Sequence, residues 1–266
     1  MRIMNHYNLS FISDTALFNH VKQTVEKYRF SIDLDEFNKN IIDPIKLTFD
    51  AKVYNKSIAQ VIEAEILRQL DKSNTNHIGY FHQNIFKYLG KEWSVPDAGF
   101  DVINQTRQIY VEMKNKHNTM NSSSSQKTYM RMQALLIKQP QATCMLVEVI
   151  ATKSQNIVWQ VSLDGERVYH ENIRRVSIDQ FYTIVTGEAL AFKNLCQVLP
   201  IVIDDVLSTM TQPDSVNTVF AELETLSPNL LNSLYLLAFK KYHGFENFIV
   251  CVLHQLNYLQ ARAVWL

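Results

Sequence analysis

The stretch PDAGFDVINQTRQIYVEMKNKHNTMN, Pro96 to Asn121, decides how the rest of the chain is read. Two apolar segments, GFDVIN and IYVEMK, flank the polar loop NQTR and carry the β-branched and aromatic residues that strands favour. They predict a hairpin. Side chains alternate along a strand, so Glu112 and Lys114 share one face while Met113 takes the other. If Asn104 pairs with Ile109, Asp101 falls opposite Glu112 with Cβ atoms ~5 Å apart. Asp97 would lie ~13 Å farther along at strand rise, and it precedes Gly99, where the strand is expected to begin. Asp101 is therefore the expected partner of Glu112, and Asp97 is not. The loop has no glycine, so this register rests on the apolar pattern and not on turn chemistry.

Two carboxylates that close repel unless a cation sits between them. Val111 and Met113 flank Glu112, which predicts a central, buried strand on which a charge needs a partner. A Glu-x-Lys tripeptide alone is common, and cross-strand acid–base pairs usually decorate a solvated surface. Asp50-Ala51-Lys52 has the same spacing, but its nearest upstream acid, Asp43, is followed by Pro44 and has no hairpin context.

The surroundings of the second set are basic. Arg107 to Lys138 holds six Lys or Arg and one acid, in a chain whose 26 basic and 26 acidic residues cancel. Lys116, His117, Asn118, Ser122, Ser123, Lys127 and Arg131 are expected to donate to phosphate oxygens and base edges. The helix N-terminus near Ser122–Ser125 would add its dipole. The alternative is a solvated basic helix. A second group, Arg167, His170, Arg174 and Arg175, either flanks the same ligand or coats the surface.

Outward from the hairpin, helices are predicted over 13–29 (opened by a capping Ser13 or Asp14), 57–70 and 78–90, the last stopped by Gly90. WSVP reads as a short strand. SSSSQKTYMRMQALLIKQP caps and builds a helix ended by Pro140, TCMLVEVIA (143–151) reads as a buried strand, and NIVWQVSL (156–163) as another before a turn at Asp164-Gly165. From about Ile178 the chain reads as helical, punctuated by Pro200, Pro213 and Pro228. The order is helices, three strands, a helix, two strands and a helical cap: an α/β fold with a mixed sheet flanked by helices.

Composition narrows the classes. With 266 residues, 47% of them hydrophobic, the chain can bury one large core. Zero net charge means that a polyanion must be met by a local patch. Cys144, Cys196 and Cys251 lie scattered in apolar runs, which suits buried thiols in a reducing cytoplasm. No apolar signal core opens the sequence and no run reaches the ~18 residues of a membrane span, so a soluble, cytoplasmic protein is expected. The six glycines are too dispersed for a dinucleotide fingerprint, a P-loop or a nucleophile elbow, and no His-Glu-x-x-His or Cys-x-x-Cys occurs.

Asp101, ten intervening residues, then Glu112-x-Lys114 on the next strand resembles the PD-(D/E)xK nuclease superfamily. The wider string GYFHQNIFKYLG…VP…GFDVIN…IYVEMKNKHNTMNSSS…FYTIVTGEALAFKNLC is similar to type II restriction endonucleases that cut GGNCC-like or GGWCC-like sites. The likeness covers about 78 to 200 and is densest over 99–125. It implies a restriction-endonuclease-like core at 78–177 between helical parts 1–77 and 178–266 of one domain. It also implies Mg2+ held by Asp101, Glu112 and the Met113 carbonyl, with Lys114 positioning the attacking water. The superfamily often adds an acid from the helix before the sheet. That helix here offers His82 and Gln83, and Glu65 or Glu63 on the earlier helix is the other choice. The Pro96-Asp97 pair matches the motif's letters, but the hairpin assigns the role to Asp101.

The resemblance further implies double-stranded DNA as substrate, a homodimer and a methyltransferase acting on the same site; by their place in the chain, the apolar helices after 178 are the surface expected to join the two copies. A less specific repair or junction nuclease, or a DNA-binding module without catalysis, are the competing readings. The first would give no defined fragments, and the second would retain DNA without cutting it.

Overall fold

The computed structural model describes residues 6–211, 216–245 and 249; Cys251 and Pro213, both used above, lie outside them. The chain divides into two compact units, residues 1–28 with 74–213 and residues 29–73 with 214–266.

The first unit holds a six-stranded mixed sheet in the order β1-β2-β3-β4-β6-β5. The hairpin is its organising feature. β2 (Val102–Asn104) and β3 (Ile109–Lys116) run antiparallel with Asn104 opposite Ile109 and Val102 opposite Val111, the expected register. The turn closes without glycine because the Asn104 side chain accepts the Arg107 amide at 2.9 Å, while Gln108 takes a positive φ of 51°. β1 (Trp93–Ser94) adds to the outer side of β2. β4 (Thr143–Ile150) lies parallel to β3. Between those two strands runs α5 (Ser122–Lys138), capped by Asn121, which accepts the Ser124 amide, and not by a serine as expected.

Five strands are expected, and among the described residues there are six. β6 (Glu166–Ser177) separates β4 from β5 (Asn156–Leu163), parallel to the first and antiparallel to the second. Its sequence ERVYHENIRRVS is so polar that it reads as a surface coat, and its buried positions begin only at Ile173. The Asp164-Gly165 turn forms as expected, both residues at positive φ.

Helices cover both faces. On one, Val102, Val111, Met113, Met145, Val147 and Val176 pack with α1 (Asp14–Val25, capped by Ser13), the end of α4 (Ile58–Asn84), α6 (Ile178–Thr186) and α7 (Ala191–Leu207). On the other, Phe100, Cys144, Leu146 and Ile173 meet Tyr129, Met132 and Leu136 of α5. The second unit has its own core: α2 (Leu34–Lys39), α3 (Pro44–Val53), the first half of α4, α8 (Val219–Leu226) and α9 (Leu230–Phe239) close over Phe37, Leu47, Ile62, Leu223 and Leu234.

Several boundaries differ from expectation. The two helices expected over 57–70 and 78–90 are the single α4, because the polar run between them contains no proline and mostly faces solvent. α4 ends at Asn84, and Gly90 follows a 3₁₀ turn, Ile85–Tyr88. Pro200 lies inside α7 and does not punctuate it; Pro228 does separate α8 from α9. Asp33 and Asp43 cap α2 and α3, elements absent from the sequence reading. Cys144 is buried, but Cys196 is exposed. Among the described residues no helix is long and apolar enough to cross a membrane.

Candidate active site

Alternation along β3 sends Ile109, Val111 and Met113 into the core of one sheet face and Tyr110, Glu112 and Lys114 to the other. Glu112 is nevertheless buried, because α5 lies across that face. Its two oxygens have separate partners. Lys114 Nζ donates to Oε1 at 2.7 Å, and the Arg131 guanidinium, reaching down from α5, donates to Oε2.

Asp101 stands just before β2, where regular pairing has stopped. Its amide donates to the Val111 carbonyl at 2.8 Å, and its side-chain Oδ2 accepts the Met113 amide at 2.7 Å. The carboxylate thus takes an amide of the neighbouring strand and is fixed beside Glu112. Burial pushes the Asp101 carboxyl above the usual aspartate range. The Met113 amide opposes that push, the Glu112 charge adds to it, and Lys114 and Arg131 pull the other way. Asp97 is exposed in the preceding loop. The rival Asp50 sits on a helix, paired with Lys46.

Two carboxylates held on one face are hard oxygen donors, and their mutual repulsion is relieved by a bound cation. Among the described residues no group of three or more His, Cys, Asp or Glu is arranged to hold a metal. A site of two carboxylates fits Mg2+, which takes one or two of them and keeps several waters.

The remaining candidates are spread around this centre. Lys116 ends β3, and Lys116, His117 and Asn118 are exposed, the His117 amide donating to the Ile150 carbonyl. Ser122 and Ser123 are exposed in the first turn of α5, and Lys127 one turn farther on. Arg131 has its guanidinium on Glu112 and on the Gly99 carbonyl at 3.2 Å, stacked 4.7 Å from the Phe100 ring centroid. Glu65 belongs to the second unit, where Arg68 and Gln69 donate to its carboxylate. Gln83 lies half-buried in the last turn of α4. Its neighbour His82 is half-buried, and loss of solvent around the ring pulls the imidazole down to about 4 and keeps it neutral. Nearer the centre, α4 approaches β3 closely at Gly79, where an added Cβ would lie 3.3 Å from Asn115 Nδ2.

The second basic group splits by strand alternation. Arg174 turns to Asn156 on β5, whereas Arg175 turns to Glu148, donating from Nε at 3.0 Å and Nη2 at 2.5 Å. Glu148 lies beside Lys114 in the β3–β4 ladder, and the Arg175 guanidinium also approaches the His117 carbonyl at 3.5 Å. The sequence reading overlooked Glu148. The signal was there: a lone acid between Val147 and Val149 in an otherwise apolar strand.

An antiparallel hairpin that sets two acids and a lysine beside a basic helix matches the class of sites able to hold a cation next to an anionic substrate. Comparison with known proteins gives that class its family. The profile of the Eco47II restriction endonuclease family matches residues 9–208. The chain is 36% identical over 233 residues to the type II restriction enzyme Sau96I of Staphylococcus aureus, covering 83% of this chain and 89% of that enzyme. It is 30% identical over 213 residues to the type II restriction enzyme Eco47II of Escherichia coli, covering 75% and 88%. The chain belongs to the Eco47II family of restriction endonucleases.

Proposed function

We propose that this protein is a Mg2+-dependent type II restriction endonuclease of PD-(D/E)xK type that hydrolyses double-stranded DNA at a GGNCC-like or GGWCC-like site. The observation that supports this most is the Asp101–Glu112–Lys114 cluster, read together with family membership. Asp101, Glu112 and the Met113 carbonyl would hold the ion. When bound, it neutralises charge on the scissile phosphate, lowers the pKa of water and stabilises the leaving oxygen.

The chain's own residues do the positioning. Asp101 is oriented by the Met113 amide, so its free oxygen is aimed and not mobile. Lys114 shares the Glu112 face and orients the attacking water against the phosphate. Lys116, His117, Asn118, Ser122, Ser123 and Lys127 supply donors around the DNA backbone and grooves, and the amino end of α5 adds its dipole. A symmetric DNA site with one such centre per chain calls for a homodimer, one chain to each strand. A methyltransferase of the same specificity would protect the host without binding this protein, and both would act in the cytoplasm.

Purified protein incubated with plasmid and Mg2+ should yield discrete fragments, and EDTA should stop the reaction. A smear would point to a less specific nuclease. Retention of DNA with no scission in Mg2+ or Mn2+ would reduce the protein to a binding module.

A further inference from the structure

We propose that Arg131 gates the cation site: it competes with a divalent ion for Glu112 Oε2 and yields that oxygen when a DNA phosphate draws its guanidinium away. This rests on the reading of Asp101 and Glu112 as a cation site, and it gives that site a dependence on DNA.

Each Glu112 oxygen already has a cationic partner, Lys114 on Oε1 and Arg131 on Oε2. An ion bridging Asp101 and Glu112 must displace one of them. Lys114 is two residues away on the same strand, with its ammonium held at the carboxylate by that short tether. Arg131 comes from a different element, α5, and its side chain is 42% exposed while that of Glu112 is 12% exposed. The guanidinium therefore has one edge on the acid and another open to solvent, from which a phosphate can approach.

Its other holds are weak ones: a 3.2 Å hydrogen bond to the Gly99 carbonyl and the face of Phe100. A guanidinium fork matches two phosphate oxygens as well as it matches a carboxylate, and a duplex presents closely spaced phosphates where Glu112 is a single acid. Lys127 lies four residues earlier on the exposed side of the same helix, which lines up a second cation along the approach. Gly99 and Phe100 directly precede Asp101, so withdrawal of Arg131 releases contacts on both acids' supports at once. Arg131 and the ion cannot share Oε2, so DNA and metal affinities are coupled, and the coupling is reciprocal.

Two binding measurements on the full chain test this with no cleavage step. First, Mn2+ is titrated into metal-free protein and free ion is followed by electron paramagnetic resonance. Arg131→Gln should bind about tenfold more tightly than wild type, and Glu112→Gln should lose the binding in both backgrounds. Second, in EDTA, a fluorescent duplex with a GGNCC site should bind Glu112→Gln about tenfold more tightly than wild type, because Arg131 is released. The same change should add nothing in the Arg131→Gln background. Arg131→Lys, which keeps the charge but not the fork, should fall between, and it carries the test if Arg131→Gln melts early.

Equal, Glu112-dependent Mn2+ affinity in wild type and Arg131→Gln would overturn the gate and leave the cation site standing. So would a DNA gain that survives in the double variant. Mn2+ binding indifferent to Glu112 in every background would remove the cation site, and the gate with it.

Discussion

Glu112 on β3 and Glu148 on β4 lie on one face of the sheet, on neighbouring parallel strands, and both are buried. Their surroundings separate their roles. Glu148 is closed off: a single guanidinium engages both its oxygens, its side chain is only 3% exposed, and Arg175 carries the contact on toward the His117 carbonyl. Glu112 is left open to exchange. Its two cations come from different elements, one of them half in solvent, and a second acid stands beside it with its carboxyl pushed up. A buried acid with one bidentate partner is a structural tie. A buried acid with a neighbouring acid and separable cations is a place where a ligand can enter. That difference, not burial alone, is what the proposed assignment of Glu112 rests on.

The comparison is broken most visibly through activity. Asp101→Ala, Glu112→Gln and Lys114→Ala should each lower plasmid cleavage by about 10³-fold or more, since in the proposed mechanism each removes a group acting on the transition-state charge. Their melting curves should stay close to wild type. Glu148→Ala should do the reverse. Leaving Arg175 partly buried and unpaired should cost about 3 kcal/mol in urea unfolding, while cleavage measured on the folded fraction persists. A stable, dead Glu148→Ala variant would erase the distinction between the two glutamates.

A subtler effect concerns Asp101. Because its carboxyl is pushed up on folding, the wild-type group favours the folded state below the ordinary aspartate range and loses that contribution as pH rises through the raised value. Asp101→Asn keeps an oxygen for the Met113 amide and carries no charge. In metal-free buffer it should melt above wild type at neutral pH, with the gap vanishing toward acid. A gap that is constant with pH would mean that the acid is not strained by its surroundings. Smallest of all, Asp97→Ala should change cleavage by less than about twofold, as expected for an exposed loop residue.

The hairpin was legible because two apolar segments of strand pattern flank a four-residue loop, and pairing Asn104 with Ile109 across it gives the observed register. The turn that permits it was not legible, since Gln108 takes a conformation usually left to glycine. β6 was hidden for a different reason. A strand is recognised by what it buries, and the first seven residues of β6 include no fully buried side chain. Missing it also hid the Arg175–Glu148 tie, which exists only because β6 lies next to β4. Arg131 was visible as a basic residue beside the site, but its grip on Glu112 depends on how α5 crosses the sheet, which no spacing in the sequence encodes. The helices of the second unit announce themselves by Asp33 and Asp43 as caps, signals that were present and passed over.

The most direct measurement is a crystal of the protein soaked in MnCl2 and recorded at the manganese absorption edge. An anomalous peak within coordinating reach of both the Asp101 and Glu112 carboxylates is the predicted result. Absence of a peak there, or acids directed to different sides of the β layer, would contradict the assignment at its root.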